Sequence, residues 1–209
     1  MAIGKHKPKK GWMQEHVNDH WVHEAQRLGY RSRAAFKLQE IDARDHLLKK
    51  GSTVVDLGAA PGSWSQVAAQ KVGDSGRVIA LDLLEMPPLP GVAVIQGDFR
   101  EAATLAVLEK ALAGRRVDLV LSDLAPNISG VAASDQAKSV HLVELAAEFA
   151  AQWLVPDGKL LVKAFQGAGF EDLVRELKRT FRVVHIRKPK ASRDRSPEVY
   201  LLAAGPTGV

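Results

Sequence analysis

Val54-Val55-Asp56-Leu57-Gly58-Ala59-Ala60-Pro61-Gly62-Ser63-Trp64 reads as a buried strand that stops in a tight turn of small residues and restarts as a helix. The apolar run Thr53–Leu57, with two adjacent valines, suits the central strand of a parallel sheet. Gly58 and Gly62 let the backbone turn with little steric limit, so a ligand can approach the main chain at the carboxyl end of the strand. That end is where open α/β sheets bind ligands.

Two glycine-loop readings can be set aside. A phosphate-binding P-loop needs Lys followed by Ser or Thr after its last glycine, and this loop continues Ser63-Trp64-Ser65. A dinucleotide fingerprint reads G-x-G-x-x-G, whereas here the spacing is G-x-x-x-G with a proline inside. Asp56, in the strand end, would repel a pyrophosphate and tolerate a cationic sulfonium or an amino group. This combination points to S-adenosylmethionine. The competing reading is a tight βα turn that binds nothing.

The chain has 209 residues, which favours one domain, and 46% apolar residues support a sizeable core. The net charge of +5 favours an anionic partner. The absence of cysteine excludes disulfides, thiolate metal sites and cysteine nucleophiles. No apolar run approaches membrane-spanning length, and residues 11–30 lack the core of a signal peptide. A soluble cytoplasmic protein with no membrane partner, and a monomer, is the expectation.

Upstream of the turn, residues 1–11 carry lysines at 5, 7, 9 and 10 and no acid. They read as a flexible tail, either simply solvated or a phosphate-contacting arm through Lys9 and Lys10. Residues 12–209 read as a single domain. Helices are expected over 13–28, with Val17, Trp21 and Ala25 on one face, and over 33–48, with Phe36, Ile41 and Leu48 toward the core. Arg31 and Arg33, in the turn between them, are expected to contact RNA. Lys37, beside the apolar set, reads from the residues alone as an ordinary surface lysine.

Downstream, helix 63–72 leads to strand Arg77–Leu81 and Asp82, which lies 26 residues past Asp56. An acid there can take the ribose hydroxyls of an adenosine. Strand Val92–Gln96 ends at Asp98, which could accept from an adenine amino group. Helix 101–113 precedes strand Val117–Ser122, and Asp123 follows at its carboxyl end, where a doubly wound sheet keeps catalytic groups. Helix 134–154 is expected to end at the turn Val155-Pro156-Asp157-Gly158. Strand Lys159–Phe165 contains Lys163 between Val162 and Ala164. Inside a core this lysine would need a carboxylate partner; at the strand end it would face the cleft.

Helix 169–180 and strand Phe181–Ile186 follow. The next loop, residues 187–197, holds Arg187, Lys188, Lys190, Arg193 and Arg195 against one acid. It is either a solvated hairpin connection or, with the N-terminal lysines, a set of phosphate contacts. Strand Glu198–Ala203 comes last. Its direct connection to the preceding strand predicts an antiparallel final hairpin. The architecture expected is α/β, a doubly wound seven-stranded sheet, mostly parallel, with helices on both faces.

The segment Asp56–Gln66, the pair Asp123/Pro126-Asn127, the strand Val162-Lys163-Ala164-Phe165 and the ending Arg195-Ser196-Pro197-Glu198 together resemble the FtsJ ribosomal RNA 2′-O-methyltransferases. The likeness spans Trp12 to Ala203. It implies a Rossmann-like methyltransferase fold with S-adenosylmethionine as donor. The implied reaction is methylation of a uridine ribose 2′-hydroxyl in the A loop of large-subunit (23S) rRNA, on the assembled 50S subunit. It further implies a catalytic set Lys37, Asp123, Lys163 and Glu198, and donor contacts at Gly62, Trp64, Asp82, Asp98 and Asp123, to which Asp56 and Gly58 are added from the turn. Ser63 departs from the glycine expected there and requires dihedrals that a non-glycine residue can adopt.

The catalytic set has a chemical rationale. A ribose hydroxyl is a poor nucleophile, and a positioned base helps by about 10²–10⁴-fold. Lys163 is the candidate, either as a neutral base beside a second ammonium, Lys37, or as an ammonium that stabilises the developing alkoxide. Asp123 and Glu198 orient both lysines. No metal is required, because the donor is already a cation. The alternatives are a 2′-O-methyltransferase of tRNA or another RNA, a non-catalytic ribosome-assembly protein and, more remotely, a dehydrogenase.

Overall fold

The computed structural model describes residues 19–126, 129–193 and 195–208. Lys9, Lys10 and the rest of the basic tail, the first part of the helix expected over 13–28, and Asn127 lie outside these residues. Two helices come first, α1 (His20–Arg27) and α2 (Ala34–Asp45). They are followed by β1 (Thr53–Leu57), α3 (Ser63–Val72), β2 (Arg77–Asp82), β3 (Val92–Gln96), α4 (Ala102–Leu112) and β4 (Val117–Ser122). The chain continues with α5 (Ala132–Trp153), β5 (Leu154–Phe165), α6 (Phe170–Thr180), β6 (Phe181–Arg187) and β7 (Glu198–Pro206).

The strands form one sheet of order β3-β2-β1-β4-β5-β7-β6. Strands β1 to β5 pair in parallel, and β7 runs antiparallel between β5 and β6. Every residue of β1 is buried, because helices cover both faces at the centre of the sheet. Alternation along the strands divides the core. Val55, Leu57, Val120 and Val162 face the layer of α4, α5 and α6. Val54, Leu119, Leu121 and Leu161 face α2 and α3, as do Tyr200 and Leu202 of β7. Each fully buried aliphatic side chain contributes about 1.5–3 kcal/mol. Register carries the same alternation upward. Leu121 lies beside Leu161, and Lys163 lies opposite Tyr200. The polar residues that end β1, β4, β5 and β7 therefore collect on the α2/α3 face.

Four expectations need correction. Helix α2 ends at Asp45 rather than 48: His46 turns left-handed (φ 49°), and Asp42 Oδ1 accepts from the Leu47 and Leu48 amides at 2.9 and 2.8 Å. The turn expected at Val155–Gly158 is part of a strand. Val117 pairs with Leu154 but Leu119 with Lys159, so the extra residues bulge outward. Arg182 holds the bulge by donating to Pro156 O at 2.7 Å and Asp157 at 2.8 Å. The basic loop 187–197 is not a solvated connection, since Ala191 and Ser192 are buried in it. It lies over α1 and α2, where Ala191 packs with Ala25 and Phe36. Lys37 is no ordinary surface lysine, its side chain being only 11% exposed. Among the described residues, no helix is long and apolar enough to cross a membrane.

Candidate active site

The turn after β1 is tied to its neighbours through the main chain. Gly58 and Ala59 amides donate to Leu81 O at 2.8 and 3.2 Å. Gly58 has φ +73°, and a Cβ there would overlap Leu124, so glycine answers both the dihedral and the space. Ser63 is the first residue of α3 and is absent from the positive-φ positions, so its departure from glycine carries no strain. Asp82 is fixed at the end of β2 by the Ala60 amide (2.9 Å) and the Leu84 amide (2.8 Å). Asp98 is gripped by Arg100, whose guanidinium, outweighing partial burial, holds the carboxyl below its usual range.

Asp56 is fully buried beneath the turn. Its Oδ2 accepts from Ser65 Oγ at 2.6 Å, and its Oδ1 has no hydrogen-bond partner among the described residues. Burial outweighs the Ser65 bond and, with the charges of Asp123 and Asp82, raises this carboxyl to about 7. The folded chain therefore keeps a proton that the unfolded chain releases near the ordinary carboxylate value. Stability from this group is full below about pH 4, falls as pH rises through about 7, and is flat above it. Asp56→Asn, which cannot ionise, should lose that slope. Urea midpoints of the parent are expected to fall relative to the variant between about pH 4 and about pH 7. Parallel profiles would remove the buried neutral carboxyl.

The four residues of the expected catalytic set converge. Lys163 Nζ, 9% exposed, donates to Asp123 O at 2.7 Å and lies 3.2 Å from Asp123 Oδ1. Lys37 Nζ donates to Glu198 Oε1 at 2.6 Å. Burial pushes the Glu198 carboxyl up, but Lys37 above all, with Ser192 and Lys163, holds it below the usual range. Two residues that sequence reasoning missed complete the network. Tyr200 OH donates to Asp123 Oδ1 at 2.9 Å, and Ser192 Oγ donates to Glu198 Oε1 at 2.7 Å. Burial, then the charges of Asp123 and Glu198, raise the Tyr200 hydroxyl well above its ordinary value, so it stays a donor. Tyr200 was within reach of the sequence: it follows Glu198 by two and so shares its face of the strand. Nothing local marks Ser192.

A cleft of about 260 Å³ opens beside this network, lined by Ser32, Arg33, Lys37, Arg193, Ser196 and Glu198. Of the cations expected to meet RNA, Arg33 and Arg193 line it, and the Lys190 and Arg195 side chains are exposed nearby. Three others have their donors engaged within the protein. Arg31 donates to the carbonyls of Pro61, Pro87 and Pro88. Arg187 makes a two-pronged pair with Asp45. Lys188 donates to Ser196 O and Glu198 O, both at 2.6 Å. Arg33 also meets Asp19 and Ala191 O. Trp64 can meet a ligand at the turn only through its main chain. Its ring is buried against Tyr200 and its Nε1 donates to Ala34 O at 2.8 Å.

This geometry meets matches among known proteins. The FtsJ-like methyltransferase family model covers residues 30–206. The protein named Ribosomal RNA large subunit methyltransferase E of Methylobacillus flagellatus is 63% identical over 193 residues, 92% of this chain and 93% of that one. The protein of the same name from Thiobacillus denitrificans is 61% identical over 205 residues, covering 96% and 93%. Among solved structures, a Plasmodium falciparum chain described as a ribosomal RNA methyltransferase superposes with TM-score 0.76 at 32% identity, over 86% of this chain and all of that one. A Lactococcus lactis chain described as a hemolysin, 19% identical with TM-score 0.60, shares the fold alone, over 86% of this chain and 89% of that one. A family match that runs from the turn before α2 to the end of β7, and so contains every member of the converged network, identifies the chain as a member of the FtsJ-like methyltransferase family.

Proposed function

We propose that the chain transfers the methyl group of S-adenosylmethionine to the ribose 2′-hydroxyl of a uridine in large-subunit ribosomal RNA, in the A loop of the assembled subunit. The observation that carries this reading is the convergence of Lys37, Asp123, Lys163 and Glu198 beside the glycine turn. The names of the relatives support large-subunit ribosomal RNA as the acceptor. Uridine and the A loop rest on the family resemblance.

The residues around the turn fit the proposed donor. The acids that end β1, β2 and β3 suit hydroxyls and amino groups, and the one guanidinium beside the turn, Arg31, has three of its N–H groups on the carbonyls of Pro61, Pro87 and Pro88. Asp56 Oδ1 is buried without a partner among the described residues, and Asp82 keeps lone pairs beyond its two amide bonds. Asp82 would hold the ribose hydroxyls, Asp98 the adenine amino group, and the main chain from Gly58 to Trp64 the methionine portion. When bound, the donor supplies an electrophilic methyl on a sulfonium.

The chain's own groups act on the acceptor. Arg193 in the cleft receives phosphate, Arg33 beside it is held by Asp19 and Ala191 O and shapes the wall, and Lys37, held by Glu198, fixes the ribose. Lys163 donates one hydrogen bond to Asp123 O and lies 3.2 Å from Asp123 Oδ1, which leaves N–H capacity for the 2′-oxygen. In this geometry it acts as an ammonium that stabilises the developing alkoxide, while the hydroxyl proton passes to water as the new C–O bond forms.

The test is transfer from labelled S-adenosylmethionine to purified large subunits, free rRNA and tRNA, with digestion to nucleosides. The expected result is label on uridine ribose from large subunits. Label on tRNA would replace the acceptor and keep the chemistry. No label on any RNA, with donor binding intact, would overturn the catalytic reading.

A further inference from the structure

Residues 29–34 are joined to the glycine turn by more contacts than chain continuity requires. Arg31 Nη1 donates to Pro61 O and Pro87 O at 2.9 Å each, and Nη2 to Pro88 O at 2.8 Å. The guanidinium occupies the space beside Gly62, where a Cβ would lie 2.8 Å from Nη1. Gln66, on the first turns of α3, holds the same segment from the other side. Its Oε1 accepts from the Arg31 amide at 3.2 Å and its Nε2 donates to Gly29 O at 2.8 Å. Ser32 Oγ and Ser63 Oγ share a hydrogen bond of 2.7 Å. Immediately beyond, Ser32, Arg33, Ala34 and Lys37 form one wall of the acceptor cleft.

We infer that Arg31 is a positioning residue for the donor turn, and that through it the donor site and the RNA cleft are coupled. The inference rests on the donor reading above. Three of the five guanidinium N–H groups serve carbonyls on two separate loops, 61 and 87–88, so a phosphate would have to displace bonds that hold the turn in shape. A planar fork serves these carbonyls from two nitrogens held at a fixed spacing; an ammonium has its three donors on one nitrogen and does not reproduce that spacing. A donor that orders the turn also orders residues 29–34, and with them the cleft wall. By linkage, RNA that orders the wall tightens the donor by the same factor.

The test compares the full-length parent with Arg31→Gln and Arg31→Lys. Calorimetry with S-adenosylmethionine alone comes first, then RNA affinity at two salt concentrations, then kcat and KM for each substrate. Arg31→Gln is expected to weaken the donor about tenfold or more without any RNA present, since small misplacements of a binding turn cost up to about a hundredfold. Arg31→Lys should not restore it. The donor KM should rise with kcat near parental at saturating donor, a split that a general loss of fold would not produce. Addition of RNA should tighten the donor in the parent and not in Arg31→Gln. Parental donor affinity in Arg31→Gln, with weaker RNA binding and a shallower salt slope, would overturn the inference and make Arg31 a phosphate ligand. If Arg31→Gln does not fold, Gln66→Ala, which removes the reciprocal bonds, is read the same way. Failure of the parent itself to bind the donor would overturn the donor reading instead.

Discussion

Lys163→Ala is expected to keep the donor and to lose methyl transfer by about 10²–10⁴-fold, the range that a group acting on the reacting proton or oxygen supplies. The separation follows from where the side chain sits. Lys163 reaches Asp123 from β5, opposite Tyr200, and touches neither the turn nor Asp82 or Asp98 in the contacts that fix them. The fold should survive, because Asp123 retains the Tyr200 hydroxyl when the ammonium is gone. A variant with donor affinity, melting temperature and RNA affinity near parental, but little label transferred, meets the expectation. Turnover within about tenfold of the parent would take Lys163 out of the reaction. The pH dependence of kcat in the parent separates its two roles. A neutral amine taking the proton gives a rate that climbs as the lysine deprotonates; an ammonium held by Asp123 gives no such limb. Lys163→Arg keeps charge but cannot keep the same point-donor geometry, and is expected to recover only a small part of the rate.

The parts of this molecule that the sequence made legible are those with local signals. Strand β1 and its turn follow from an apolar run and two glycines. The acids at the strand ends follow from spacing, and Lys163 is marked by its apolar neighbours in a strand. The topology was also within reach, since two successive strands without a helix between them imply an antiparallel pair. What was not legible depends on contacts across the chain. Lys37 meets Glu198, 161 residues away, only because β7 inserts beside β5 and α2 packs over it. The partners of Arg31 and Arg187 are likewise distant, so composition alone could not separate these arginines, which bond within the protein, from cations such as Lys190 that stay exposed. The Pro156-Asp157-Gly158 cluster has turn composition, but the register of β4 against β5 absorbs it as a bulge.

Arg187 separates these two readings of a basic residue, and Arg187→Ala is expected to cost stability, about 2–3 kcal/mol, without changing RNA affinity. Its Nε and Nη2 donate to Asp45 Oδ2 and Oδ1 at 2.7 and 2.6 Å, and both side chains are 11% exposed. The pair joins the carboxyl end of α2 to the last strand of the sheet. Truncation would leave the Asp45 carboxylate largely buried, beside the carbonyls of a helix end that already disfavour an anion. Breaking buried pairs typically costs about 3–5 kcal/mol, and this one falls below that range because β6 is an edge strand from which water reaches the carboxylate once the guanidinium is gone. The Arg187 hydrogen bond, more than offsetting burial, holds the Asp45 carboxyl below its ordinary value. Stability from the pair is therefore present above the unfolded carboxylate value of about 4 and is lost as pH falls through the lower folded value. Urea midpoints of parent and Arg187→Ala should converge in acid and stand apart at neutral pH. Lys190 is the contrast: its side chain is exposed, so Lys190→Ala should leave stability unchanged and reduce the salt slope of RNA binding by about one. If Arg187→Ala instead reduces that slope at unchanged stability, its guanidinium leaves Asp45 for the phosphate, and the edge of the acceptor surface extends beyond the cleft to the end of β6.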